Sequence, residues 1–331
     1  MLNSVVSVAP MLDWTDRHER YFLRLISHHA LLYTEMVTTG AIIFGERDRY
    51  LQYNQQEHPL ALQLGGSDPA QLAECTKIAA DYGYDEVNLN LGCPSNRVQN
   101  GSFGACMMAV PDSVAECIDA MKQAASLTVS AKTRIGIDEQ DSFEELVHFI
   151  GTLHLAGCND FIIHARKAIL QGLSPKENRS IPPLRYDVVY KIKELFPQCR
   201  ISINGGIKTL DEVSSHLQRV DGVMIGREAY HNPYFLASVD KFIFDDDHEI
   251  LSRHQIVESM FPYIESEMKK GLRLHSIVRH MLGIFQGVKG TKAWKRYLSE
   301  NACKSDAGIE VLQQALTLVD DCPLSVVTSQ S

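Results

Sequence analysis

Short apolar runs and amphipathic stretches alternate along the first two thirds of this chain. The runs Val5–Ala9, Leu31–Thr34, Leu60–Leu64, Glu86–Asn90, Val129–Thr133, Phe161–His164, Arg200–Asn204 and Gly222–Ile225 are too short for helices and mostly rich in branched residues. Each is therefore predicted as a strand. Helical patterns fill most of the gaps. Asp68 and Pro69 read as an N-cap and a first helical residue, followed by Leu72, Cys75, Ile78 and Ala79 on one face. Pro111 starts another helix with Val114, Ile118 and Met121 turned inward. Asp141-Ser142 precedes Leu146, Phe149, Ile150 and Leu153, stopped by Gly157, and Thr209 opens a short helix before the last strand. Eight strand–helix repeats over about 240 residues predict an α/β fold, a (β/α)8 TIM barrel in preference to an open sheet.

The Asp245-Asp246-Asp247 run breaks this alternation, and only helical patterns follow it. A barrel domain over 1–244 and a helical domain over 248–331 are expected. In the second, Ser252 caps a helix interrupted near Pro262, and a further one carries Ile277, Met281, Ile284 and Phe285 to Gly287. Thr291 is expected to cap a third through Leu298, and Asp306 a fourth with Ile309, Leu312, Leu316 and Val319 on one face.

A hydrophobic content of 45% with 22% charged residues belongs to an ordinary soluble enzyme. No apolar run approaches the roughly 18 residues of a membrane span, and the first residues lack the pattern of a signal peptide. The eight cysteines are scattered and contain no C-x-x-C pair, which argues against a zinc knuckle and a disulfide framework. A cytoplasmic protein with no metal is the expectation.

Chemistry concentrates where strands end. The stretch from Asn88 to Met108, NLNLGCPSNRVQNGSFGACMM, runs from a strand into a loop punctuated by Gly92, Pro94, Gly101 and Gly104. Cys93 follows the strand directly, where reacting groups gather in parallel α/β folds. From position alone its thiol suits a nucleophile, a metal ligand or a proton donor. Gln63, Asn90, His164 and Asn204 end the third, fourth, sixth and seventh strands, and Lys132 lies inside the fifth, where a buried charge needs a partner. Asn204-Gly205-Gly206 and Gly226-Arg227 follow the seventh and eighth strands, the usual phosphate site of such barrels. Flavin mononucleotide (FMN) or a sugar phosphate would fit between them and Cys93. No G-x-G-x-x-G follows a strand, so a nicotinamide donor would bind only transiently.

Several segments together are highly specific. APMLDWTDRH from Ala9, EVNLNLGCPSNRVQNGSFGACMM from Glu86, AKTRIGID from Ala131, IIHARKA from Ile162, INGGI from Ile203 and VMIGREAYHNP from Val223 resemble the flavin-dependent tRNA-dihydrouridine synthases. GLSPKENRSIPPLRY from Gly172 and KAWKRYLSENA from Lys292 resemble the A subgroup. The resemblance covers nearly the whole chain. It implies an FMN barrel with a helical RNA-binding domain that uses NADPH to reduce the C5=C6 bond of D-loop uridines 20 and 20a in tRNA. It also implies hydride transfer from reduced FMN to C6 and a proton from Cys93 to C5. Carried over by position, Pro10, Met11 and Leu12 line the flavin, and Gln63, Lys132 and His164 contact its ring and ribityl parts. Asn204, Gly205, Gly206, Gly226 and Arg227 hold the phosphate, and Asn90 orients the uracil. A thiol mostly protonated at neutral pH suits an acid better than a nucleophile.

The net charge of −9 by itself argues against a nucleic-acid partner. Its distribution does not. From Met268 to Lys304 nine Lys or Arg face the single acid Glu300, and from Ala165 to Arg185 five face Glu177. Arg97, Lys176, Arg179, Lys292, Lys295 and Arg296 are the residues expected to hold tRNA, the two clusters clamping an RNA elbow over Cys93. The last three crowd the start of a helix, whose positive dipole end disfavours cations unless a phosphate docks there. Rival readings are an FMN barrel acting on a free pyrimidine, a lyase or isomerase with a nucleophilic Cys93, and a non-catalytic RNA-binding barrel.

Overall fold

The computed structural model describes residues 5–320, apart from the side chain of Arg97. It groups into two compact units. One comprises the segment through Thr15 together with Ala30–Gly226, and the other comprises Asp16–His29 with the chain from Arg227 onward. The two helices Arg227–His231 and Phe235–Ile243, which precede the acidic run, thus group with the helical unit.

The first unit is built on eight parallel strands: β1 Val6–Val8, β2 Leu32–Thr38, β3 Leu60–Gly65, β4 Glu86–Leu91, β5 Thr128–Arg134, β6 Asp160–His164, β7 Arg200–Asn204 and β8 Gly222–Ile225. Each pairs with its sequence neighbour and β1 pairs with β8. The ring closes at Leu31, just before β2. Val8 donates its N–H to the Leu31 carbonyl at 2.9 Å, and Leu31 donates to Val6 at 3.1 Å. Closure removes both sheet edges, as a TIM barrel requires. Ala9, Leu31, Tyr33, Ala61, Ile162 and Met224 form a buried apolar cluster, with Met11 packed against it.

Strand positions match the sequence reading within one or two residues except at β2, which runs on to Thr38. Its register against β3 shifts between Tyr33 and Met36. That irregularity breaks the alternation by which a strand is recognised, so its second half is hidden in the sequence. Asp68 caps Pro69–Tyr82 by accepting the Gln71 N–H at 2.9 Å. Ser142 and Thr209 form capping boxes with Glu145 and Glu212.

The helical unit departs from the sequence pattern at three places. Ile277 to Phe285 is not one helix. It is a short α-helix, His275–Val278, followed by a 3-10 turn, Arg279–Gly283. Gly283 explains the tightening, because a Cβ there would meet the Tyr230 and His231 carbonyl oxygens at 2.8 and 2.6 Å. Thr291 does not cap helix Thr291–Asn301. Gly290, at φ 96°, is the N-cap, and the Thr291 hydroxyl donates to the Val288 carbonyl at 2.5 Å. Gly308 rather than Asp306 precedes Ile309–Leu316. Ser252 does cap Arg253–Ser259, and the break at Pro262 opens a new helix, Phe261–Lys269. Helix Arg17–Ile26, capped by Asp16, is not separately legible in the sequence: Glu19, Arg20 and Arg24 are buried in it, which defeats a polar–apolar pattern. Trp294 and Phe285 meet edge to face at 4.8 Å in the unit's core. Among the described residues no helix is long and apolar enough to cross a membrane.

Candidate active site

Parallel pairing fixes which side chains meet at the carboxyl ends of the strands. Register sets Asn90 of β4 beside Lys132 of β5, and His164 of β6 beside Asn204 of β7. Gln63 of β3 stands beside Asn88 of β4.

These amides form a chain of hydrogen bonds inside the barrel wall. Asn90 Nδ2 donates to Gln63 Oε1, Gln63 Nε2 to Asn88 Oδ1, and Asn88 Nδ2 to Ser130 Oγ, each at 2.7 Å. Ser130 donates to Glu86, which also accepts from the Tyr33 hydroxyl at 2.7 Å. Burial pushes Glu86 up to about 7, against the hydrogen bonds from Ser130 and Tyr33 that lower it. At the other end, Asn90 Oδ1 accepts the Gly92 and Cys93 N–H groups at 3.2 and 3.0 Å. Asn90 is thus fixed from both sides, and it fixes the backbone of Cys93.

The loop beyond Cys93 folds back on that residue. Ala105 donates to the Cys93 carbonyl at 3.0 Å. Gly104, at φ 77°, makes this possible, because a Cβ there would lie 2.4 Å from Val98 Cγ1 and 2.7 Å from the Cys93 oxygen. Cys93 is half-buried, its sulfur 3.5 Å from Ser95 Oγ. Cys106, the other loop thiol, donates to the Phe103 carbonyl at 3.1 Å, and burial raises its pKa.

Lys132 Nζ donates to Asn204 Oδ1 at 3.3 Å, and Asn204 Nδ2 donates to the Met224 carbonyl at 2.8 Å. Lys132 keeps some solvent access at the mouth, yet desolvation by the barrel wall, then the Arg134 charge, lower it to about 7; the Cys93 sulfur works the other way. Beyond β7, Gly205 and Gly206 have φ of 121° and 78°. A Cβ on Gly205 would meet His164 Cδ2 at 2.7 Å, and one on Gly206 would meet Leu184 Cδ1 at 2.7 Å. Their N–H groups donate to no acceptor among the described residues. Gly226 follows β8, where a Cβ would make only ordinary contact with Ala9, and Arg227 opens helix Arg227–His231. Pro10 and Met11 follow β1 half-buried, and Leu12 is 68% exposed.

A family model described as "Dihydrouridine synthase (Dus)" matches residues 7–320. The chain belongs to the dihydrouridine synthase family. It is 64% identical over 314 residues to the tRNA-dihydrouridine(20/20a) synthase of Shewanella oneidensis, covering 95% of this chain and 93% of that one. It is 60% identical over 313 residues to the protein of the same name from Pasteurella multocida, covering 95% of each chain. It is 61% identical over 316 residues to that from Escherichia coli, covering 95% of this chain and 91% of the other. The solved structure of TcOYE with pHBA shares the fold at a TM-score of 0.53 and 10% identity, covering 72% of this chain and 88% of that one.

In this dihydrouridine synthase family member, the basic residues fall into engaged and exposed groups. Arg166 donates to the Pro182 carbonyl within its own loop, and Lys167 pairs with Asp141 of the loop after β5 at 3.0 Å, so both are engaged. Lys176 precedes the short turn Glu177–Arg179. Lys292 and Arg296 are exposed on helix Thr291–Asn301, and Lys295 Nζ reaches Gln286 Oε1 at 3.3 Å. The Arg97 side chain lies outside the described residues.

Arg134 is not singled out by the sequence pattern. It is buried, with Nε donating to the Gly92 carbonyl at 3.0 Å and Nη1 to the Asn178 carbonyl at 2.9 Å. One guanidinium thereby ties the backbone next to Cys93 to the loop after β6, at a cost of desolvation that lowers it to about 10. Asn178 is itself fully buried and bonds both ways to the Ile169 backbone.

Proposed function

We propose that this chain acts as a tRNA-dihydrouridine synthase, reducing the C5=C6 bond of D-loop uridines 20 and 20a with FMN as resident cofactor and NADPH as reductant, in the cytoplasm. The observation that carries the reading is identity of 60–64% over 95% of the chain to relatives that bear that name. The residues present suit FMN. Two left-handed glycines offer unpaired N–H groups where phosphate oxygens can approach, as glycine loops after late barrel strands do elsewhere. Gly226 and Arg227 would complete the phosphate contacts, with Pro10, Met11, Leu12, Gln63, Lys132, His164 and Asn204 along the rest of the cofactor. When bound, FMN supplies a two-electron carrier between NADPH and C6 of uracil.

The protein's own part is positioning and proton supply. Asn90, held by Gln63, orients the uracil. Cys93 Sγ gives its proton to C5, and the charge left on sulfur lies within the electrostatic reach of Lys132 and Arg134. The target uridine leaves its stack to reach the barrel mouth, as in other base-modifying enzymes. Lys292, Lys295 and Arg296 on helix Thr291–Asn301, Lys176 and Arg179 in the loop after β6, and Arg97 after β4 would meet phosphates. The test is mass analysis of tRNA from a strain lacking this protein. Loss of the two-hydrogen increment at positions 20 and 20a is expected, and an unchanged D-loop refutes the assignment.

Lys132 gives a second test. It begins near 7, and an acceptor or anion beside its ammonium raises that value. FMN affinity should therefore be complete below pH 7 and decline as the pH rises above it, because the protonated form is the one the ligand favours. Lys132→Met should weaken binding, flatten this pH dependence and slow reduction by NADPH. Fluorescence titration of FMN from pH 6 to 9 measures it. An unaltered pH profile in Lys132→Met would show that the ammonium does not face the cofactor.

A further inference from the structure

Three side chains of the helical unit, distant in sequence, meet in space. His28 follows helix Arg17–Ile26, Asp240 lies in helix Phe235–Ile243, and His248 lies in the segment leading to helix Arg253–Ser259. Each offers one ligand atom, and these atoms lie within 4.8 Å of one another. We propose that His28, Asp240 and His248 form a site for a divalent transition-metal ion, zinc foremost.

The donor set selects that class of ion. Two imidazoles and one carboxylate suit zinc with water in a fourth position, whereas calcium and magnesium take oxygen donors. Asp240 is wholly buried and already aimed, with Oδ1 accepting from Ser27 Oγ and Oδ2 from the His28 N–H, both at 2.5 Å. Hydrogen bonds of this kind orient ligating carboxylates in metal sites.

His248 gives an independent indication. Its Nδ1 is buried and lies 3.0 Å from Asp246 Oδ2, a carboxylate placed to orient the ring. The His28 and His248 rings face each other at 4.2 Å and 24°. Asp246 Oδ2 also stands 2.6 Å from His29 Nε2, so the remaining neighbouring histidine is already engaged.

Space and access complete the site. Both imidazoles border a cavity of about 190 Å³ walled by Leu25, Ile26, Leu251 and Ile256, ample for a metal-bound water. His28 is exposed, which leaves a path for an ion. The ligands stand at 28, 240 and 248, so no spacing motif reveals them, and the absence of a C-x-x-C pair says nothing about this place. Bound metal would pin the segment around the 245–247 acidic run to the end of helix Arg17–Ile26.

The test uses full-length protein without a histidine tag, stripped with a chelator and titrated with Co2+ and then Zn2+. One tight equivalent is expected, with visible cobalt bands but no thiolate-to-metal charge-transfer band, and zinc should raise the thermal midpoint. Exposed Cys303 and half-buried Cys93 and Cys106 are competing thiols that such a band would expose. His28→Ala and His248→Ala, checked for native circular dichroism, should each weaken the site by roughly tenfold or more. Asp240→Asn is not relied on, because it alters a buried carboxylate that also holds Ser27. No bound equivalent, a thiolate band, or full affinity in both histidine variants would overturn the assignment.

Discussion

Cys93→Ala is expected to retain FMN, to be bleached normally by NADPH, and to lose tRNA reduction. The separation follows from what holds the residue. Its N–H is bound by Asn90 and its carbonyl by Ala105, both through backbone atoms that alanine keeps. The loop should therefore survive the change, and only the proton source is removed. General acid catalysis contributes about 10²–10⁴-fold, so single-turnover reduction of tRNA by pre-reduced protein should fall by two to four orders of magnitude. Cys106→Ala is the control. Its thiol is committed to the Phe103 carbonyl, and burial raises its pKa, so tRNA reduction should stay near that of the parent. A Cys93→Ala protein that reduces tRNA at the parental rate would remove Cys93 from the acid role, and a slow Cys106→Ala protein would move that role thirteen residues along the loop.

The barrel is legible because its strands obey local rules. β7 and β8 are short branched runs bounded by charge and glycine, and both begin and end where the pattern places them. Helix Pro69–Tyr82 announces itself by Asp68 and Pro69 at its start and by Leu72, Cys75, Ile78 and Ala79 on one face. Strand-end polar residues are legible for the same reason, since polarity inside an apolar run needs an explanation.

What stays hidden depends on contacts far apart in sequence. Glu86 looks like the polar start of a strand, and only the fold reveals it buried at the foot of a relay that reaches Asn90. Arg134 lies between Thr133 and Ile135 with no local sign that its guanidinium grips Gly92 and Asn178. Helix His275–Val278 and its 3-10 continuation read as one helix because Ile277, Met281 and Ile284 keep helical spacing, while the closeness of Gly283 to the Tyr230 and His231 carbonyls is tertiary. Caps at Gly290 and Gly308 escape the sequence because Thr and Asp are the better cap formers by composition, yet both ends use backbone conformation instead.

The second large effect is expected from Lys292→Ala, Lys295→Ala and Arg296→Ala combined. Helix Thr291–Asn301 starts at a left-handed glycine and has no side-chain cap, so its positive dipole end is left open. Three cations beside that end raise a local electrostatic cost, and two of them, Lys292 and Arg296, are exposed without an ion pair among the described residues. The opposite face is anchored by buried Trp294 and Leu298, which the substitutions leave untouched. Alanine is the better helix former, so the thermal midpoint should hold or rise slightly. A phosphate backbone docking here would use the side chains and the first N–H groups together. Losing three phosphate contacts should flatten the plot of log affinity for tRNA against log salt by about 2 to 3 units, at roughly 0.7–0.9 per contact. FMN content and NADPH oxidation should be unchanged, because neither depends on this helix. Affinity and salt slope equal to the parent, in a variant of parental stability, would show that tRNA does not bind through this face.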